Sequence, residues 1–349
     1  MINRSLSTNN NSPVKRLFRN LVLAGTFTVA SVAASTAIAA PEYTMKLATA
    51  TVNDVQTEAI KRLAKRIEDR TEGRIKTELY PAAQLGSNIR MIEGLQFGTI
   101  EFYTGPAVYL MGVDPRYQAM DLPGIFDDAR HAQRTFSDPE FREAFLNLGE
   151  SKGLVGLGTY IFGNTAFVTR FPGSTLADFK GKKLRVLASK IERRSADLMG
   201  ATAVPIDFSE MVAALQQGTI DGIKSSPPAF TSLRLNNIVD HITATEDGVM
   251  GEIMLVSKIW WDRLPEDLQT IIREEAIDLE PELYDFVLQD QANAYKQWEE
   301  QRGTVHYLPE AERTELLTQM RDATIEVMRE NKPTEEILYL VLSVSERTR

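Results

Sequence analysis

Two stretches of this chain are near copies: MIEGLQFGTIEFYTGP, from Met91, and MVAALQQGTIDGIKSSP, from Met211. Each predicts an amphipathic helix that runs into a glycine, Gly98 or Gly218, then into a short β-branched strand closed by an acid, Glu101 or Asp221. Helix, glycine, strand is ordinary α/β punctuation. The shared run LQ-x-GTI, at a separation too long for a solenoid, points further, to two similar lobes. Strands such as MKLATAT, RIKTELYP, KKLRVL and TAVPI alternate with helical patterns, which implies parallel sheet with crossover helices. From about Glu280 to Arg302 a long charged helix is expected, after a separate helix PEDLQTIIREEA.

At the N-terminus, Lys15, Arg16 and Arg19 precede the run LVLAGTFTVASVAASTAIA, which ends in small residues at Ala37–Ala39. That order is the signature of a secretory signal peptide, cleaved after Ala39, and it places the mature chain in the periplasm; an uncleaved anchor is the alternative. Removing residues 1–39 takes away four cations and no acid, so the net charge moves from −9 to −13. Such a chain seeks neither nucleic acid nor an anionic membrane surface. Cysteine is absent, which excludes disulfides, thiol catalysis and zinc-thiolate sites.

One residue stands out chemically. Arg185 lies in the apolar strand KKLRVLA, and a buried guanidinium must meet an anion or polar partners. From residue types alone the partner is either an internal carboxylate or a bound one. His131, His241 and His306 lack metal-ligand spacing and read as surface residues. Asp127–Asp128 could bind a cation, but one acidic pair without further oxygen donors is weak evidence for it, and Trp260–Trp261 reads as packing at a strand-to-helix junction. No cofactor motif, nucleophile elbow or paired catalytic carboxylates occur.

The segment from Leu176 to Pro227 carries D-x-K-G-x-K-x-R-V, Gly-Ala-x-x-x-P, F-S-E-M and A-L-Q-x-G-x-x-D-G, and YPAAQLG, LQFGTIEF and DLPGIF precede it. In these motifs, across nearly all of the mature chain, the sequence resembles the substrate-binding proteins of tripartite ATP-independent periplasmic (TRAP) transporters, the DctP-like family. The resemblance implies an α/β, two-lobed periplasmic-binding-protein fold, type II-like, with a hinge and a long lobe-spanning helix. It assigns 40–162 plus 251–290 to lobe I and 163–250 plus 291–349 to lobe II. It also implies a monomeric receptor that is not an enzyme, captures a small organic acid between the lobes and hands it to integral membrane subunits. A sensor for a signalling receptor shares every one of these features; an enzyme on the same fold would need a general base in the cleft.

In that family the strand arginine pairs with the ligand carboxylate, and the matching position here is Arg185; its planar fork suits a carboxylate better than lysine would. Phe208 matches a ligand-packing position and opens a helix with Asp207 and Glu210 spaced as a capping box. The chain departs from the pattern twice. Phe162-Gly163-Asn164-Thr165 replaces a G-x-R stretch, and Ile223-Lys224-Ser225 replaces Q-E-N. With fewer charges a monocarboxylate is expected, with Asn164, Thr165 and Ser225 as neutral hydrogen-bonding groups. From the strand ends of the first lobe come Thr49, Thr51, Thr104 and Tyr109, and from the crossing between lobes Tyr160 and Phe162.

Overall fold

The computed structural model describes residues 40–349, so the signal peptide expected over 1–39 lies outside the described residues. The first half runs β1 (Tyr43–Ala48), α1 (Val55–Arg70), β2 (Ile75–Tyr80), α2 (Asn88–Phe97), β3 (Phe102–Pro106), α3 (Ala129–Phe136), α4 (Pro139–Leu146) and β4 (Leu154–Asn164). The middle runs β5 (Ala166–Thr169), β6 (Lys183–Val186), α5 (Lys190–Leu198), β7 (Thr202–Pro205), α6 (Met211–Gln216), β8 (Gly222–Ser225), α7 (Pro227–Ser232) and β9 (His241–Ala244). It closes with β10 (Val249–Ser257), α8 (Lys258–Trp261), α9 (Glu266–Glu300), β11 (Thr304–Tyr307), α10 (Glu310–Met328) and α11 (Lys332–Thr348). The strands form two sheets, β2-β1-β3-β10-β4 in lobe I and β11-β9-β5-β8-β6-β7 in lobe II.

The repeated sequence occupies the same place in both lobes. α2 ends at Gly98 (φ 72°) and α6 is followed by Gly218 (φ 71°), left-handed backbone that glycine adopts without steric cost. The next amide folds back on its helix in each case, Thr99 N to Gly94 O at 2.9 Å and Thr219 N to Ala214 O at 3.0 Å. The acid then precedes its strand rather than closing it, because it serves the neighbouring strand: Glu101 accepts from the Lys46 amide at 2.9 Å and Asp221 from the Lys183 amide at 2.8 Å. In both sheets the parallel pairing begins one residue later, at Leu47↔Phe102 and Leu184↔Gly222. Each copy thus fixes the register of one parallel strand pair.

Three segments join the lobes: β4 to β5 through Thr165, β9 to β10 through 245–248, and α9. α9 packs on α1 and β4 of lobe I and on α7 and β11 of lobe II. It is a single helix through Pro281, where two were expected. Leu279 and Leu283, buried in the lobe I core on either side, hold it continuous despite the backbone bond that proline removes. α11 departs from the expected boundary. It packs on α3 and α4, and Leu338, Val341 and Val344 join the lobe I core, so the apolar face of 332–348 belongs to lobe I and not to lobe II.

Candidate functional site

β6 lies between β7 and β8 with Arg185 opposite Val204 and Ile223, which places its side chain near the ends of the lobe II strands. Arg185 is 1% exposed. It donates from Nε to Ile206 O at 2.9 Å, from Nη1 to Lys224 O at 3.2 Å and from Nη2 to the Tyr109 hydroxyl at 3.1 Å. All three acceptors are neutral, and among the described residues no carboxylate pairs with it. A guanidinium has five N–H donors, so one remains on each terminal nitrogen. The internal salt bridge left open by the sequence is therefore not formed. A buried charge held by neutral oxygens alone is costly, and an external anion offsets that cost.

Around the guanidinium lies a narrow pocket between the lobes. Lobe I supplies Ala50, Thr51, Gln56, Asn88, Pro106 and Tyr109; lobe II supplies Arg185, Leu187, Phe208 and Ser225; Phe162 and Met250 come from the connecting strands β4 and β10. Arg185 is the one charged residue in this lining. The Thr49 and Thr51 hydroxyls both approach Gln56 Oε1, Thr51 at 3.1 Å, and Tyr103 donates to Asn88 Oδ1 at 2.8 Å. These contacts orient two amides at the first turns of α1 and α2. Burial pushes the Tyr109 phenol up, while the Arg185 charge opposes it. Behind Gln56, Glu252 is fully buried, and burial followed by the Asp54 charge drives its carboxyl well above the usual range.

Of the residues singled out from sequence, Arg185, Tyr109, Phe162, Phe208, Ser225 and Thr51 converge on this pocket. Thr49 sits one hydrogen bond behind it, on Gln56. Thr104 and Tyr160 do not line it: their hydroxyls, 2.7 Å apart and buried, satisfy one another across β10, which lies between their strands β3 and β4. Asn164 lines a separate cleft with Phe126, Asp127, Asp128 and Arg313, its amide donating to Gln291 at 2.8 Å. The Thr165 hydroxyl donates to Asp247 at 3.0 Å in the crossover. No capping box forms at Phe208, because Asp207 accepts from the Ser209 amide at 3.0 Å and α6 begins only at Met211. His131 is buried, not on the surface, with Nδ1 accepting from the Asp127 amide at 3.1 Å and Nε2 lying 2.8 Å from Ser345 O. The sequence reading missed Gln56 and Asn88. Both start helices that follow strands of a parallel sheet, where ligands of α/β folds bind, and that placement was the available signal.

A second buried arrangement borders the site. Lys224, whose carbonyl holds Arg185, sends Nζ the other way to Glu192 Oε1 at 2.8 Å and Asp247 Oδ2 at 2.6 Å. Burial alone would raise Asp247; the Lys224 charge and the Thr245 and Thr165 hydroxyls outweigh it and hold the carboxyl below the usual range. Lys224 is held protonated by the same pairs.

Among solved structures, a TRAP periplasmic solute-binding protein from Desulfovibrio salexigens with bound orotic acid superimposes with a TM-score of 0.83 at 28% identity, over 88% of this chain and all of that one. The C4-dicarboxylate-binding periplasmic protein DctP of Rhodobacter capsulatus is 31% identical over 209 residues, 58% of this chain and 61% of its own length, so the match spans about three fifths of that relative. The sialic acid-binding periplasmic protein SiaP of Vibrio cholerae is 29% identical over 226 residues, 64% of this chain and 70% of its own. The family described as bacterial extracellular solute-binding protein, family 7, matches residues 48–331, and the chain belongs to it.

Proposed function

We propose that this protein is the extracytoplasmic solute receptor of a TRAP transporter, exported by its first 39 residues, and that it captures a small organic acid bearing one carboxylate and delivers it to membrane subunits. The observation that carries the reading is Arg185: buried, bonded only to neutral oxygens, and the single charge in its cavity. A carboxylate entering there takes the two free N–H groups as a bidentate pair, and exclusion of water strengthens it. Phe162, Phe208, Leu187 and Met250 offer an apolar wall for the rest of the ligand, while the Gln56 and Asn88 amides and the Ser225 and Thr51 hydroxyls suit keto or hydroxyl oxygens. A second ligand carboxylate has no cation to meet in this lining. The family membership and the solute-binding relatives support the receptor role.

Thermal shift with a panel of organic acids tests the ligand class. Small monocarboxylates, orotate and 2-hydroxy or 2-keto acids with one carboxylate among them, are expected to raise the melting temperature, and the dicarboxylates succinate and malate and uncharged sugars to leave it unchanged. A shift with succinate or malate alone removes the monocarboxylate assignment.

A further inference from the structure

Three carboxyl groups and one ammonium are buried together where the lobes meet at the crossover strands. Asp121 comes from the lobe I segment before α3, Glu192 from α5 and Lys224 from β8 of lobe II, and Asp247 from the β9–β10 connection; their exposures are 7%, 2%, 4% and 1%. Lys224 is already shared between Glu192 and Asp247. Asp121 reaches from the other lobe to hydrogen-bonding distance of the Glu192 carboxyl. Asp121 Oδ2 and Glu192 Oε2 are buried and accept no hydrogen bond from any other group among the described residues. One ammonium does not neutralise three carboxylates, and two carboxylates in contact cannot both ionise in a dry site. A proton between Asp121 and Glu192 satisfies both. Burial, the Glu192 charge and the Asp247 charge all push Asp121 well above the usual carboxylate range, against the pull of Lys224.

We propose that Asp121 and Glu192 form a proton-operated latch: closing the lobes brings the two carboxyls together and takes up one proton from water, so the receptor shuts more readily as the surrounding pH falls. No other bond is made or broken. The sign follows from linkage. A carboxyl whose pKa is raised in the closed form stabilises that form while it stays protonated, and the stabilisation is lost as pH rises from the open-form pKa through the closed-form one. The protonated pair also leaves Lys224 free to hold Glu192 and Asp247, and through its carbonyl Arg185, so the latch and the ligand site are fastened to the same strand.

The latch is read without any ligand. Because the chain has no cysteine, spin labels go on at Arg90→Cys and Glu210→Cys, exposed positions next to Asn88 and Phe208 on opposite lobes. Pulsed electron resonance then gives the distance between them at pH 5 and pH 9. The short-distance population is expected to dominate at pH 5 and to fall at pH 9, the closed-to-open ratio changing by up to ~10-fold per pH unit within the linkage window. Asp121→Asn keeps a donor toward Glu192 but does not titrate, so it is expected to stay closed at both pH values. Asp121→Ala, with no donor, is expected to lose the pH response. Melting curves of each variant establish that it is folded. A distance distribution independent of pH, or an Asp121→Asn protein that keeps the original pH response, overturns the latch.

Discussion

Lys224→Met removes an ammonium while keeping an unbranched apolar stem, and it leaves Glu192 and Asp247 buried without a counter-charge. Taking one partner out of a buried pair costs about 3–5 kcal/mol. Lys224 is 4% exposed and lies 2.8 Å and 2.6 Å from two carboxylates, so the upper part of that range, about 4–5 kcal/mol at pH 8, is expected. The loss should shrink at pH 5. Without the ammonium both carboxyls have raised folded pKa values, and acids raised in this way favour the folded state at low pH and disfavour it as pH climbs. Guanidinium unfolding followed by circular dichroism at the two pH values measures this directly. The triple variant Lys224→Met, Glu192→Gln, Asp247→Asn should regain most of the stability, since neutral amides need no counter-charge. A loss under about 1 kcal/mol at pH 8, or the same loss at both pH values, refutes the reasoning.

Asp54 caps α1 by accepting from the Thr57 amide, and burial raises its carboxyl to about 7. Its neutral form favours folding at low pH, and that advantage fades as pH rises from about 4 to about 7. Asp54→Asn keeps the cap without the charge, so it should match the parent near pH 4 and exceed it by about 3–5 kcal/mol at pH 8 in denaturant titrations. Gly98→Ala places a Cβ 3.1 Å from Ile259 on left-handed backbone, whereas the same change at Gly218 meets nothing within 4 Å. Gly218→Ala should therefore cost only the conformational strain, about 1 kcal/mol, and Gly98→Ala measurably more in the same titration; equal losses would show that Ile259 moves aside freely.

The lobes were legible because the repeat encodes a complete unit, helix, left-handed glycine and parallel strand. The role of its acid was not legible, because Glu101 and Asp221 serve amides 55 and 38 residues away in sequence. Arg185 showed itself as a charge inside an apolar strand. Lys224 sits in an equally apolar strand and the same logic applied to it, yet its partners Glu192 and Asp247 come from elements that only the fold brings together. Thr104 and Tyr160 misled because a strand hydroxyl looks alike in sequence whether it faces a ligand or another hydroxyl of its own sheet. The two helices expected on either side of Pro281 are one, because local propensity disfavours proline within a helix while burial of the flanking leucines decides the outcome.

The claim that a solute carboxylate pairs with Arg185 is tested most directly by calorimetric titration of Arg185→Ala and Arg185→Lys with the organic acid that gives the largest thermal shift, alongside denaturant unfolding of the ligand-free proteins. Loss of a desolvated bidentate pair worth about 3–5 kcal/mol predicts binding weaker by roughly a hundred-fold to a few thousand-fold in Arg185→Ala, with Arg185→Lys recovering only part. Ligand-free stability should be little reduced, because the guanidinium has no internal carboxylate partner to abandon. A folded Arg185→Ala protein that binds the acid with the parent's affinity would contradict the account.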